Sequence, residues 1–469
     1  MRATTPSTLG ELRASGHNHR TVKEELRDNL LMRMRAGLTI GERFPGIVGF
    51  DETVLPAVER AILAGHDFVL LGERGQGKTR LIRSLAALFD EWTPAITGCE
   101  INDHPYAPVC LRCRRLADEA GDELPVTWRH RDDRYGEKLA TPDTSVGDLI
   151  GDIDPIKVAE GRSLGDPETV HYGLVPRTNR GIFSVNELPD LAERIQVALL
   201  NVLEERDIQV RGYALRLPLD VLLVASANPE DYTNRGRIIT PLKDRFGAEI
   251  RTHYPMDLAD ELALIRQEAL LEAIVPDHLL EIIARFTRAV RESSAVDARS
   301  GVSARFAVAG SETVAASALR RAALTGEPVA VARVCDLPSI VDSLRGKVEF
   351  EVSEEGRERE VLAHLLRRAT ADTFRHTLGS ADLSDLRAKF DGGATVESGE
   401  LVPGTELLRR LGPVTGLAAM MERLGMDGEE TPGLAASAAE LAMEGLYLTR
   451  RISKDVESDG PEGRIIYGG

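Results

Sequence analysis

The chain has 469 residues, 42% of them hydrophobic and 28% charged, which leaves room for two or three domains and excludes both a mostly disordered polypeptide and a small disulfide scaffold. Aromatics make up only 4%, so the core must be built mainly from Leu, Val, Ile and Ala, as suits a helix-rich protein. A net charge of −17 supplies no global field toward phosphate backbones, which disfavours nucleic acid as a partner.

Met1 to Gly16 carries no apolar stretch after Arg2 and does not read as a signal peptide. The longest apolar runs, around Phe68–Leu71 and Val221–Ala225, fall far short of the ~20 residues of a membrane helix. The chain is expected to be cytoplasmic, with no membrane insertion. Residues 1–36 form a polar, helical lead-in, in which Thr21 to Leu31 alternates apolar and charged positions at helical spacing. From Phe44 the texture becomes that of an α/β protein with a parallel sheet, expected over 37–254. Strands are predicted at His66–Leu71, Gly181–Val185 and Asp220–Ser226, a helix at Gln196–Glu205, and a β-hairpin over Ile208–Leu217 turning at Gly212-Tyr213. After Pro255 strand signals nearly vanish. Helices are predicted over Leu258–Ala273, His278–Arg291, Ala304–Leu324 and Arg357–His376, giving a helical lid over 255–350 and a helical C-terminal region over 351–469 with a flexible tail. Asp391 to Gly399 reads as a linker or surface loop, followed by further helical signal at Thr405–Leu424 and Leu434–Ser453.

Gly72-Glu73-Arg74-Gly75-Gln76-Gly77-Lys78-Thr79 matches the phosphate-loop pattern G-x-x-x-x-G-K-[ST]. Its glycines let backbone N–H groups turn toward phosphates, Lys78 neutralises the β/γ oxygens and Thr79 offers a hydroxyl to magnesium. Context strengthens the match: Asp67–Leu71 supplies a strand before the loop, and the segment from Thr79 supplies a helix whose N-terminus faces the anion. ATP and Mg²⁺ are the implied cofactors. A second acidic strand end is then required, and Gly181-Ile-Phe-Ser-Val-Asn186-Glu187 provides it. Glu187 would polarise the attacking water, while Asn186 would hold a magnesium-bound water as a dipole rather than a charge. Val221 to Asn228 is a buried strand ending in an amide placed to touch the γ-phosphate or the water. Arg245 would reach a neighbouring subunit's nucleotide, and Arg305 opens a predicted lid helix.

In this order the motifs resemble AAA+ ATPases, specifically the magnesium-chelatase I-subunit and MoxR-like branch, over roughly Phe44 to Leu324. The resemblance implies an AAA+ P-loop core (a parallel sheet flanked by helices), with Ile47-Val48-Gly49 on the adenine side and Lys78 and Thr79 in Walker A. It likewise implies Glu187 as the Walker B glutamate, Asn228 as sensor 1, Arg245 as the arginine finger and Arg305 as sensor 2. Asn186 departs from the family's Asp. The family's insertion before Walker B would correspond to about 149–178, and Ile208–Leu217 to its pre-sensor hairpin. The resemblance also implies a homo-oligomer, often a hexameric ring, acting on a partner protein with a von Willebrand A-like domain.

Four cysteines are too few for a disulfide framework, but Cys99, His104, Cys110 and Cys113 cluster within an insertion at about 95–135 and offer the four N/S ligands of a structural Zn²⁺ site. Cys335 reads as packing, as do Phe286 and Phe306, and the charge run Arg129 to Tyr135 as a solvated loop. Three function classes follow, a nucleic-acid translocase or helicase being a fourth that the net charge of −17 disfavours. The first is an ATP-hydrolysing motor that remodels a metal-chelatase complex or a protein under maturation. The second is an AAA+ transcriptional regulator, whose Gly-Ala-Phe-Thr-Gly-Ala loop is absent from the sequence. The third is a nucleotide-gated scaffold with weak hydrolysis, favoured by Asn186.

Overall fold

Strands that are buried at every position must be covered on both faces, and three of them lie at the centre of the computed structural model: β1 (Phe68–Leu71) and two strands that follow it after long excursions. The model describes residues 5–154, 156, 159–160, 169–205, 208–210, 213–215, 217–229, 237–297, 301–426, 431–457 and 464–469. They divide into two units, 1–253 and 254–469.

In the first unit, β1 joins β2 (Tyr135–Leu139), β3 (Gly181–Asn186), β4 (Val221–Ala227) and β5 (Ala248–Arg251) in a five-stranded sheet of order β5-β1-β4-β3-β2. Every pairing is parallel. Alternation sorts the side chains into two cores. Phe68, Leu70, Ile182, Leu222, Val224 and Ile250 pack on one face with the helices Val22–Arg35 and Val54–Leu63. Val69, Leu71, Phe183, Val185, Leu223 and Ala225 pack on the other, with helix Glu193–Glu205 and with Leu9, Cys110 and Cys113. The helix expected in the lead-in is thus built into the first core, where a Thr21–Glu24 capping box starts it.

The sequence pattern missed β2 and β5. Both are edge strands whose polar residues face partly into solvent, so neither shows an unbroken apolar run. The charge run before β2 is not a solvated loop. Val126–His130 is a strand paired with Trp92–Ile96, and Arg134 is fully buried, its guanidinium bidentate on Glu25 at 2.8 and 2.6 Å and stacked 3.8 Å over the Phe89 ring. Gly151–Ile153 pairs with Val170–Tyr172 in the expected pre-Walker-B insertion, and Ile208–Val210 pairs with Tyr213–Leu215 in the expected hairpin, whose turn lies outside the described residues.

In the second unit, the stretches expected as lid and C-terminal region share one core running from Leu279 to Tyr467. Helices Asp277–Arg291, Ala304–Thr325, Glu358–Thr377 and Pro432–Leu448 form most of it. Two expectations fail there. The helix predicted over Thr405–Leu424 is two, Gly404–Leu411 and Leu417–Arg423, separated by Gly412 and Gly416 at positive φ. The expected linker and fraying tail instead supply Val396–Gly399, Ser453–Glu457 and Arg464–Gly468, which form an antiparallel sheet of three strands. Phe286 and Phe306 pack against each other in this core, with ring centroids 5.6 Å apart.

Candidate nucleotide site and sulfur cluster

The phosphate loop begins where β1 ends. A Cβ on Gly72 would stand 1.9 Å from Thr252 Oγ1 and 2.2 Å from Gln76 Oε1, so only glycine fits. Gly75 and Gly77 have φ of 73° and 78°, the left-handed conformation that turns successive N–H groups inward. Gln76 Oε1 accepts a 2.7 Å hydrogen bond from Thr252 Oγ1, which pins the loop to the residue just past β5. Helix Lys78–Ser84 follows, with Thr79 half-buried in its first turn. Lys78 is buried and its ammonium donates to the carbonyls of Gly72 and, at 2.8 Å, Glu73. A buried cation inside a glycine cradle suits a polyphosphate. Glu73 and Arg74 lie on the loop's outer side, partly or fully exposed.

Sheet order brings the other strand ends beside this loop. Gly72 N–H donates to Ala227 O at 3.1 Å, so Asn228, buried directly after β4, neighbours the first loop residue. On the far side of β4, Ser226 Oγ donates to Asn186 Oδ1 at 3.4 Å and accepts the Glu187 N–H at 3.3 Å. Ser184 Oγ also donates to Asn186 Oδ1 at 3.4 Å. Glu187 itself is in the left-handed region (φ 57°), a conformation that costs a non-glycine residue about 1 kcal/mol or more and recurs at functional sites. The phosphate loop, Asn228 and Asn186-Glu187 therefore meet at the carboxyl edge of adjacent strands β1, β4 and β3, where open parallel sheets bind ligands.

Val48 and Gly49 lie in the loop between buried Ile47 and Phe50, Gly49 at φ 78°. Arg245 ends helix Thr240–Arg245, half-exposed, and is salt-bridged to exposed Glu204 on helix Glu193–Glu205. Arg305 is exposed in the first turn of helix Ala304–Thr325, behind the Ser303 cap, and belongs to the second unit.

The cysteine cluster forms, with Asp103 within it and His104 outside it. Ligand atoms of Cys99, Asp103, Cys110 and Cys113 all lie within 4.8 Å of one another. His104 is not among them, because both its ring nitrogens are engaged: Nδ1 accepts the Tyr106 N–H at 3.0 Å, and Nε2 meets His17 Nε2 at 3.2 Å. Burial pushes the His104 imidazole down to about 2, which keeps it neutral. Asp103 is fully buried, and burial beside Cys99 pushes its carboxyl up to about 6. Hydrogen bonds from Cys110 and Cys113 hold the Cys99 thiol down, at about 3, while the same contacts push the Cys113 thiol up. Sequence reasoning missed Asp103, although the spacing Cys99-x3-Asp103 was present. Cys335 is separate, its N–H donating to Glu440 at 3.1 Å.

The chain is similar in part to several known proteins. Residues 160–245 match the sigma-54 interaction domain family. The chain is 29% identical over 243 residues to the magnesium-chelatase 38 kDa subunit of Cereibacter sphaeroides, covering 49% of this chain and 64% of that protein. It is 28% identical over 247 residues to magnesium-chelatase subunit ChlI of a Nostoc species, covering 50% and 61%. The chain thus spans less than two thirds of these relatives' lengths. Among solved structures, a complex of subunits BchI and BchD of magnesium chelatase aligns over 67% of this chain and 98% of that one, at 21% identity and a TM-score of 0.36.

Proposed function

We propose that this chain, 28% identical over half its length to a magnesium-chelatase I subunit, is an AAA+ ATPase that hydrolyses ATP at the carboxyl edge of β1, β4 and β3 and uses the cycle to remodel a partner protein. The observation that carries this reading is the adjacency of the glycine cradle, Asn228 and Glu187 on neighbouring strands.

The loop N–H groups and Lys78 hold the phosphates, and the Val48-Gly49 segment receives the adenine side. Thr79, and Asn186 through water, would hold magnesium, which would supply positive charge to the phosphates. Glu187 orients the attacking water and takes its proton. Asn228 positions that water against the γ-phosphate. Arg245 leaves the exposed Glu204 to stabilise transition-state charge in a neighbouring subunit. Such a shared site calls for a ring, hexameric as in the resemblance. The relatives' names point to a metal-chelatase complex as the target; a MoxR-like maturation of a von Willebrand A-domain partner follows the same logic.

ATPase assays with co-purification test both levels. ATP-dependent turnover that Glu187→Gln eliminates while ATP remains bound supports the site, and a von Willebrand A-type or chelatase partner supports the remodelling role. The match of residues 160–245 to the sigma-54 interaction domain favours a second reading, a transcriptional regulator. Nucleotide-dependent capture of RNA polymerase would move the conclusion there.

A further inference from the structure

The sulfur cluster plays no part in nucleotide chemistry. It joins three thiols and one carboxylate from Cys99, Asp103, Cys110 and Cys113, all within 4.8 Å of one another. We propose that these four residues form a closed, mononuclear structural zinc site, with Asp103 rather than His104 as the fourth ligand.

The spacing fits one ion. Metal–sulfur bonds of about 2.3 Å in a tetrahedron set the sulfurs about 3.8 Å apart, so closure onto an ion needs movements of at most about 1 Å. A polynuclear iron–sulfur cluster would need its ligands spread around inorganic sulfide, and this corner is too tight for that. Soft thiolates select zinc over magnesium or calcium, and four protein ligands leave no open position for catalysis.

The surroundings are those of a ligand shell. Asp103 Oδ2 accepts the N–H groups of Val109 and Cys110 at 3.0 and 2.9 Å, which fixes the carboxylate. Its Oδ1 is buried with no hydrogen-bond partner among the described residues. Buried oxygens are rarely left so, and an ion between this oxygen and the thiols satisfies it. Backbone N–H groups already solvate sulfur charge: Asp103 donates to Cys99 Sγ and Cys113 to Cys110 Sγ, each at 3.3 Å. Cys110 also caps the ten-residue helix Leu111–Ala120, whose positive end favours a thiolate. His104, with both ring nitrogens engaged, is spectator to the ion.

The ion would brace the sheet from behind. Within its loop, Ile101 O accepts the Asn179 side-chain N–H at 3.0 Å, and Asn179 Oδ1 accepts Asp220 N–H at 2.8 Å. Asn102 reaches Arg177 O at 2.7 Å. Asn179 stands two residues before β3 and Asp220 immediately before β4, the strands that carry Asn186, Glu187 and Asn228 at their other ends. The zinc therefore holds the entry of two strands whose exits form the nucleotide site.

The full-length protein, purified under reducing conditions without chelators, is assayed for metal by mass spectrometry, then stripped and titrated with cobalt(II). About one zinc per chain, and a cobalt complex with tetrahedral ligand-field bands plus sulfur-to-cobalt charge transfer, are expected. Asp103→Asn should weaken cobalt binding at least about tenfold against a chromophoric chelator, Cys110→Ser with Cys113→Ser should abolish it, and His104→Gln should leave it unchanged. No metal together with no cobalt spectrum overturns the proposal, as does stoichiometric iron or a Cys110–Cys113 disulfide in the intact mass. Equal losses in His104→Gln and Asp103→Asn overturn the choice of ligand. The wild-type cobalt spectrum decides the matter even where a variant fails to fold.

Discussion

In the proposed site Asn186 stands where an acidic side chain would place a full charge beside magnesium, and its Oδ1 already receives the hydroxyls of Ser184 and Ser226 at 3.4 Å. Both contacts are long, so a magnesium-bound water can compete for the oxygen, but it gains only a dipole. Charge-assisted hydrogen bonds are roughly twice as strong as neutral ones, a deficit of ~1 kcal/mol here, or about five- to tenfold in magnesium affinity. Asn186→Asp should lower the magnesium concentration for half-maximal ATPase by about that factor. Glu187→Gln should abolish turnover with ATP still bound. Magnesium titrations of the three proteins separate these effects: an unshifted midpoint in the first variant removes the metal assignment, and undiminished turnover in the second removes the base.

The helix Val22–Arg35 is held to β2 by a pair that the sequence concealed. Glu25 and Arg134 are more than a hundred residues apart, and each looks like one more surface charge in a polar run. Removing one partner strands the other in a dry core, so Glu25→Ala should cost about 3–5 kcal/mol in urea unfolding, while Glu25→Leu with Arg134→Met should recover most of it. Helix Asp277–Arg291 carries a different kind of buried group. Ser437 Oγ donates to Ala332 O at 2.9 Å and so accepts from His278 Nε2 at 3.1 Å, while the buried Nδ1 has no hydrogen-bond partner among the described residues to receive a second N–H, which favours the neutral imidazole. Burial pushes His278 down to about 3, with Asp277 pulling weakly upward. The unfolded chain binds this proton first as pH falls below about 6.5, so stability should decline toward acid by up to about 1.4 kcal/mol per pH unit. His278→Gln should flatten that slope by one proton relative to wild type. What the sequence displayed was whatever physics repeats locally: the glycine cradle, and the buried runs that became β1, β3 and β4. It hid whatever depends on distant partners. The polar edge strands β2 and β5 take their identity from a neighbour's backbone, and the strands Ser453–Glu457 and Arg464–Gly468 pair only because Val396–Gly399 arrives beside them. Asp103 and His104 are adjacent in sequence, and only the fold turns one toward sulfur and engages the other with His17.

For the whole molecule, the assembly reading turns on Arg245. Its pairing with Glu204 is between half-exposed groups, and such pairs contribute only about 0–1 kcal/mol, so a phosphate presented by a neighbouring subunit can displace it. Size-exclusion chromatography with light scattering should show rings forming or tightening with a slowly hydrolysed ATP analogue. Arg245→Ala should bind ATP nearly normally and lose about a thousandfold or more in turnover, whereas Glu204→Gln should retain it. Wild-type turnover by monomeric Arg245→Ala would dismiss the shared site. The end of the first unit bears on how such turnover leaves the site. Its last two residues are both tethered to nucleotide-side segments: Thr252 to Gln76 in the phosphate loop, and His253 to Thr53 at 2.7 Å and to the Phe50 ring, just past Val48-Gly49. The chain passes straight from these two residues into the second unit at Tyr254. These contacts tie the last residues of the first unit to the phosphate loop and to the loop after Val48-Gly49, so Thr252→Val, which removes the hydroxyl that Gln76 accepts, should loosen the loop proposed to hold the phosphates and lower ATP affinity, as read by nucleotide titration.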